Sequence, residues 1–149
     1  MSRPVVGIIG AGPAGLAAAV ALKAKGLPFE IVDAGDRVGG IWDINRAETP
    51  MYDAAHFISS RTLSGFRDFP MPRDYPDYPR HDQVLRYIQS YADHHELTPH
   101  VRVRTRVETA DVCADGTGWD VRFTSGERRH WSALVVATGT TWEPNRPHV

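Results

Sequence analysis

Apolar positions in this chain fall into short runs punctuated by glycine and proline. Val5–Ile9, VVGII, is an uninterrupted apolar run rich in β-branched residues, the pattern of a strand buried in a parallel sheet. It gives way at Gly10-Ala11-Gly12-Pro13-Ala14-Gly15. Leu16–Lys25 is then rich in Ala and Leu, places Lys23 and Lys25 in its last turns, and stops at Gly26; this predicts a helix with a glycine C-terminal cap. Phe29–Val32 is the next strand and closes on Asp33.

Regularity lapses between Ile58 and Arg80. Pro70, Pro72, Pro76 and Pro79 are interleaved there with Phe66, Phe69, Tyr75 and Tyr78. The expectation is an ordered excursion pinned by aromatic rings. Helical spacing resumes over Asp82–Glu96, with Val84, Ile88, Tyr91 and His95 on one face, Leu85 and Ala92 beside them, and Leu97-Thr98-Pro99 as the stop. Four strands are predicted after it: Val101–Val107, Trp119–Phe123, Arg128–Trp131 and Ala133–Ala137, the last running into Thr138-Gly139. Ser125-Gly126 marks a hairpin turn between the second and third.

Val5–Leu22 carries no charge, and by composition alone it passes for a membrane span or a signal peptide. Three glycines and a proline at its midpoint, followed by a second matched strand, argue against both. The same residues fit a βαβ nucleotide-binding unit, with Asp33 standing 23 positions after Gly10. Gly10 allows the tight turn, Gly12 lets a pyrophosphate reach the backbone, and Gly15 lets the helix pack close to the sheet. The helix N-terminus offers free N–H groups and a partial positive charge. Asp33 accepts hydrogen bonds from ribose hydroxyls and repels a 2′-phosphate. This fingerprint serves FAD and NAD alike. Gly39-Gly40 and Ile41-Trp42, just beyond it, read either as a close backbone approach to the cofactor or as a loop with a core tryptophan.

At 149 residues the chain has the size of one domain, with 42% hydrophobic and 23% charged residues. The net charge of −1, with no long run of one sign, points away from nucleic acid and anionic membranes. Arg102, Arg104 and Arg106 alternate along a predicted strand and are expected to share a solvated face. Cys113, the single cysteine, has no partner for a disulfide or a CxxC pair and reads as a structural or incidental thiol. Adjacent His94 and His95 point different ways on a helix and make a poor metal pair. No metal site is expected.

Taken in order, GAGPAG at Gly10–Gly15, Asp33, GGIW at Gly39–Trp42, RDFPMP at Arg67–Pro72, the helix His81–Leu97 and VVATG at Val135–Gly139 resemble the N-terminal part of a flavin-containing monooxygenase, in particular a bacterial branch of that class B flavoprotein group. The resemblance covers the whole chain. It implies an α/β class fold: a Rossmann-like FAD-binding domain of the two-dinucleotide-binding type, with a parallel sheet, a β-meander crossover and an additional helix. The expected division is a βαβ unit over 1–45, the excursion and helix over 46–100, strands and meander over 101–141, and a linker over 142–149 into an NAD(P)H-binding domain.

By the same resemblance FAD is the cofactor, NADPH or NADH the reductant held by a part beyond this chain, and O2 and a small organic substrate are consumed, with oxygen delivered to nitrogen, sulfur or a ketone. Gly10, Ala11, Gly12, Pro13, Ala14 and Gly15 would hold the pyrophosphate, and Asp33 with Ala34 the ribose. Arg37, Gly40, Ile41 and Trp42 would lie along the cofactor, the last two toward the flavin. Ser60 and Arg61 fall where the family places residues near the flavin and nicotinamide. The Val107 backbone would meet the adenine, and Ala137, Thr138 and Gly139 would close over the phosphates. No catalytic residue is assigned.

Two departures from the family pattern stand out. An asparagine common near the flavin has no counterpart, since its register falls near Ile58 and no asparagine occurs between Asn45 and Asn145. The ribose acid is Asp where Glu is common. Family members are also longer, so the chain is expected to be a fragment, a truncated product or half of a split enzyme, cytoplasmic, with uncovered apolar surface inviting a homodimer or a complementing C-terminal chain. Two alternatives share the scaffold: another FAD/NAD(P)-dependent oxidoreductase, for which the redox CxxC of the disulfide reductases is missing, and a non-catalytic nucleotide-binding remnant.

Overall fold

A computed structural model describes residues 4–142. Of the predicted linker 142–149, only Trp142 lies among the described residues. Three layers are stacked around a parallel sheet. Strand β1 (Val6–Ile9) pairs on one side with β2 (Phe29–Val32) and on the other with β7 (Ala133–Val136), and β3 (Val101–Arg102) adds beyond β2. Because side chains alternate across a strand, Ile8 and Ile31 point to one face and Ile9 and Val32 to the other. The first face packs on helices α1 (Pro13–Ala24) and α3 (His81–His94), with Leu16, Ala19, Val84, Ile88, Tyr91 and Leu97 in its core. The second is covered by an antiparallel meander of β4 (Val107–Val112), β5 (Trp119–Phe123) and β6 (Arg128–Trp131), whose Val121, Phe123 and Trp131 bury against Val32. Gly7 makes that second contact possible, since a methyl group there would fall inside the Trp131 ring.

The helix α1 begins with Gly12 as its cap and Pro13 at its first position, where the missing N–H costs no intrahelical bond. It ends where Gly26, at φ +64°, takes the left-handed conformation. In α3 the helix opens at His81, with Gln83 accepting a hydrogen bond from the Arg80 N–H at 3.0 Å. It stops at His94, two residues short of the expected end, and Glu96 reverses the chain at φ +51°. Tyr87, outside the predicted face, is buried on it: its hydroxyl accepts from the Phe66 N–H at 2.6 Å and donates to the Phe69 carbonyl. Phe66 also stacks on Tyr91 with ring centroids 3.6 Å apart. Phe66 and Phe69 thus fasten the proline-rich excursion, which carries a short helix α2 (Arg61–Ser64), while Tyr78 points to solvent.

One expected strand is divided. Val101–Val107 is not continuous, because Arg104 turns at φ +51° between β3 and β4. The N–H groups of Arg104 and Thr105 there donate to the carbonyls of Gly35 and Asp33, both at 2.8 Å. Tertiary hydrogen bonds to the exit of β2 outweigh the local alternation. The three arginines consequently share no face: Arg102 pairs with Glu30 and Glu127, Arg104 with Asp36, and Arg106 with Glu48. Among the described residues no helix is long and apolar enough to cross a membrane.

Candidate functional site

β1 lies between β2, reached by one crossover, and β7, reached by the long return through α3 and the meander. The strand order therefore reverses beside β1, and in open α/β sheets ligands bind outside the carboxyl ends of strands at such a point. A cleft of about 790 Å³ opens there. Its floor is Gly10, Gly12, Pro13 and Ala14; Asp33 and Ala34 form the β2 side, and Ala137, Thr138 and Gly139 the β7 side. Gly40, Ile41, Trp42 and Val107 complete the part anticipated from sequence.

The glycines hold this floor for distinct reasons. Gly10 has φ +110°, and a Cβ on it would collide with the carbonyl of Ala137 where β1 and β7 exit together. Gly12 has an ordinary φ of −82°, and a Cβ there would sit 3.5 Å from Gly40 Cα, an unstrained contact. Bareness at position 12 is therefore not required by the fold and leaves the helix end open to a ligand. Gly15 lies behind the cleft, pressing α1 onto the Gly10 carbonyl. Ala11, fully buried, contributes its backbone instead: its N–H donates to Asp33 Oδ2 at 2.7 Å.

Asp33 organises the β2 side. Its Oδ1 accepts from the Gly35 N–H at 2.6 Å and from Arg46 at 3.0 Å, and the residue is 5% exposed. A carboxylate has about four acceptor sites, so with three donors engaged one remains for an incoming hydroxyl. Arg46 also lies 4.5 Å over the Trp142 ring, whose N–H donates to the Thr138 carbonyl at 2.6 Å. A cation-bearing bridge thus runs from the β2 wall to the β7 wall.

Some expected site residues lie elsewhere. Arg37 faces an adjoining hollow, where its guanidinium grips buried Asp43 at 2.7 and 3.0 Å; that hydrogen bonding raises its pKa further. Ser60 and Arg61 do not line the cleft: Ser60 precedes the first turn of α2 and Arg61 reaches Asp77 at 3.7 Å. Ile58, at the register of the family's asparagine, is 97% exposed. Conversely, Arg46, Glu48, Thr105, Arg106, Thr140 and Trp142 line the cleft without having been anticipated. Arg106 drew notice only as one of an alternating trio. Arg46 and Glu48 belong to an irregular stretch with no periodicity, and only their charge distinguished them.

The family described as FMO-like, flavin-binding monooxygenase-like, matches residues 3–148. The chain belongs to that family. It is 36% identical over 140 residues to indole-3-pyruvate monooxygenase YUCCA1 of Oryza sativa subsp. japonica, covering 94% of this chain and 33% of that protein. With human flavin-containing monooxygenase 1 it shares 30% over 152 residues, covering 95% of this chain and 29% of the relative. The solved flavin-containing monooxygenase of Stenotrophomonas maltophilia superposes with a TM-score of 0.85 at 29% identity, over 99% of this chain and 42% of that one. The flavin-binding monooxygenase-like chain described here therefore spans about a third of the curated relatives' length, and its α/β architecture is the Rossmann-like FAD-binding fold.

Proposed function

We propose that this chain forms the FAD-binding portion of an NAD(P)H- and O2-dependent monooxygenase acting on a small organic substrate. The observation that carries the reading is the hydrogen bond from Ala11 to Asp33, which ties a glycine turn to a carboxylate across the floor of a cleft at the switch point. The residues suit the adenosine diphosphate half of FAD. The open helix end at Gly12–Ala14 receives the pyrophosphate, the spare acceptor of Asp33 receives a ribose hydroxyl, and the Val107 edge lies along the base. Ile41 and Trp42, the latter packed on Phe57 with centroids 4.8 Å apart, supply an apolar wall toward the flavin and limit the approach of water. FAD held here would supply the redox chemistry, namely hydride acceptance from NAD(P)H and activation of O2 for transfer of one oxygen.

The test is titration of the protein with FAD while following flavin fluorescence. Saturable quenching is expected. Gly12→Val, at a position where a Cβ meets only an ordinary contact, should keep its circular dichroism spectrum and bind FAD about a hundredfold more weakly, equivalent to about 2.7 kcal/mol. Equal affinity in the folded variant would move the flavin away from this turn and overturn the assignment.

A further inference from the structure

The meander brings together three side chains that the nucleotide site does not use. Asp120 in β5 stands directly opposite His130 in β6. Cys113 follows β4 and is held beside them by its N–H bond to the Gly118 carbonyl at 2.9 Å. Cys113 Sγ lies 3.5 Å from His130 Nδ1, which lies 3.5 Å from Asp120 Oδ1, and the three ligand atoms all fall within 4.8 Å of one another.

Cysteine, histidine and aspartate in contact suggest first a nucleophile with its base. The geometry excludes that relay. A relay uses the two ring nitrogens in series, one toward the nucleophile and the other toward the carboxylate, whereas both neighbours here approach Nδ1. Convergence of sulfur, nitrogen and oxygen on one point is instead the layout of a ligand set.

Two of the three separations fit the edges of a tetrahedral ion's coordination shell. Bonds of about 2.3 Å to sulfur, about 2.05 Å to nitrogen and about 2.1 Å to oxygen give S···N and N···O edges of about 3.6 and 3.4 Å. Both measured distances are 3.5 Å. The backbone makes room for this arrangement. Gly118 has φ +157°; a Cβ on it would first run into the Trp131 carbonyl in β6 and would also stand 3.0 Å from His130 Cε1 and 3.1 Å from Nε2, so a side chain there would disturb the strand and the imidazole together. Asp115, in the turn between Cys113 and Gly118, accepts from the Thr117 N–H at 3.0 Å and adds negative charge nearby.

We propose that Cys113, Asp120 and His130 bind a zinc ion through three protein ligands, with water at the fourth position. Thiolate and imidazole select a borderline-soft divalent ion over magnesium or calcium. On binding, the Cys113 thiol gives its proton to solvent as the sulfur–metal bond forms, and no electron is transferred. The ion would pin the turn after β4 to β5 and β6, clamping the meander independently of any flavin.

The site is tested on the intact, untagged protein after chelator dialysis. Zn2+ is titrated in competition with a chromophoric chelator, and Co2+ is added in a parallel sample. One equivalent of Zn2+ is expected, together with a thiolate-to-cobalt charge-transfer band. Cys113→Ser and His130→Gln, each at the surface of the meander, should each weaken Zn2+ by at least about tenfold. Alkylation of the protein's single thiol should slow when Zn2+ is present, a readout that needs no variant. Zn2+ affinity unchanged in both variants, or alkylation indifferent to Zn2+, would overturn the proposal.

Discussion

Gly15→Ala is expected to destabilise the fold by about 3 kcal/mol, although alanine is the better helix former. Two effects compete. In a helix interior, alanine outranks glycine by about 1 kcal/mol. Against that, the new methyl would run into the Gly10 carbonyl and sit 3.4 Å from Ile8 Cγ2. Overpacking a tight contact costs about 1–3 kcal/mol and occasionally more. Here the obstacle is backbone at the mouth of β1, which cannot swing aside as a side chain does, so α1 itself must lift from the sheet. The steric term wins. Since domains have about 5–15 kcal/mol in hand, the loss is a large share of the total. Urea unfolding of the two proteins measures it, and a midpoint equal to or above wild type would show that Gly15 does not set the helix–sheet distance. Gly12→Val is the useful contrast, since it is aimed at the ligand and spares the fold.

The second large effect is expected for Asp33→Asn, which keeps the shape and removes the charge. The carboxylate accepts from Ala11, Gly35 and Arg46, and an amide offers only one acceptor oxygen for them. If its oxygen serves Gly35 and Arg46, its NH2 confronts the Ala11 N–H, and a buried donor loses its partner. Unmet buried donors cost about 1–3 kcal/mol each, and more where a charge is orphaned. A loss of about 3 kcal/mol is anticipated, along with loss of FAD binding. Arg46→Ala should cost less, because it leaves both backbone donors satisfied. Unfolding of both single variants and the double variant separates the ion pair from the backbone bonds; a neutral Asp33→Asn would show that the turn holds its shape without the carboxylate.

The sequence conveyed this architecture unevenly, for reasons that can be named. β2, β5 and β6 fall where alternation, apolar runs and turn residues put them, because each is specified by its own few residues. The cleft floor was equally legible, since glycines at 10, 12 and 15 with an acid at 33 leave few other geometries. The break at Arg104 was not legible: the bonds that cause it come from Asp33 and Gly35, far away in the chain. Arg46 and Trp142 were missed for the same reason, as irregular backbone carries them to the cleft and no period announces it. Cys113 looked isolated because its neighbours arrive from two other strands, Asp120 and His130. Resemblance supplied what local rules did not, namely that the strands after α3 form a meander returning to β1.

That return has a consequence for how the protein is made. The central strand obtains its second neighbour 127 positions later, where Val6 meets Ala133, and the Gly10 turn is closed only when the Ala137 N–H reaches the Ile9 carbonyl. On the ribosome, the turn that defines the cleft is thus synthesised well before the segment that completes it. Through that interval β1 carries an unpaired apolar edge, the kind that recruits another strand if one is near. Such distant pairing is also slow to form. In pulse-labelled hydrogen exchange during refolding, the Ala137 amide should gain protection after those within α1. Vulnerability during synthesis and competence in the finished protein are thereby lodged in the same few residues.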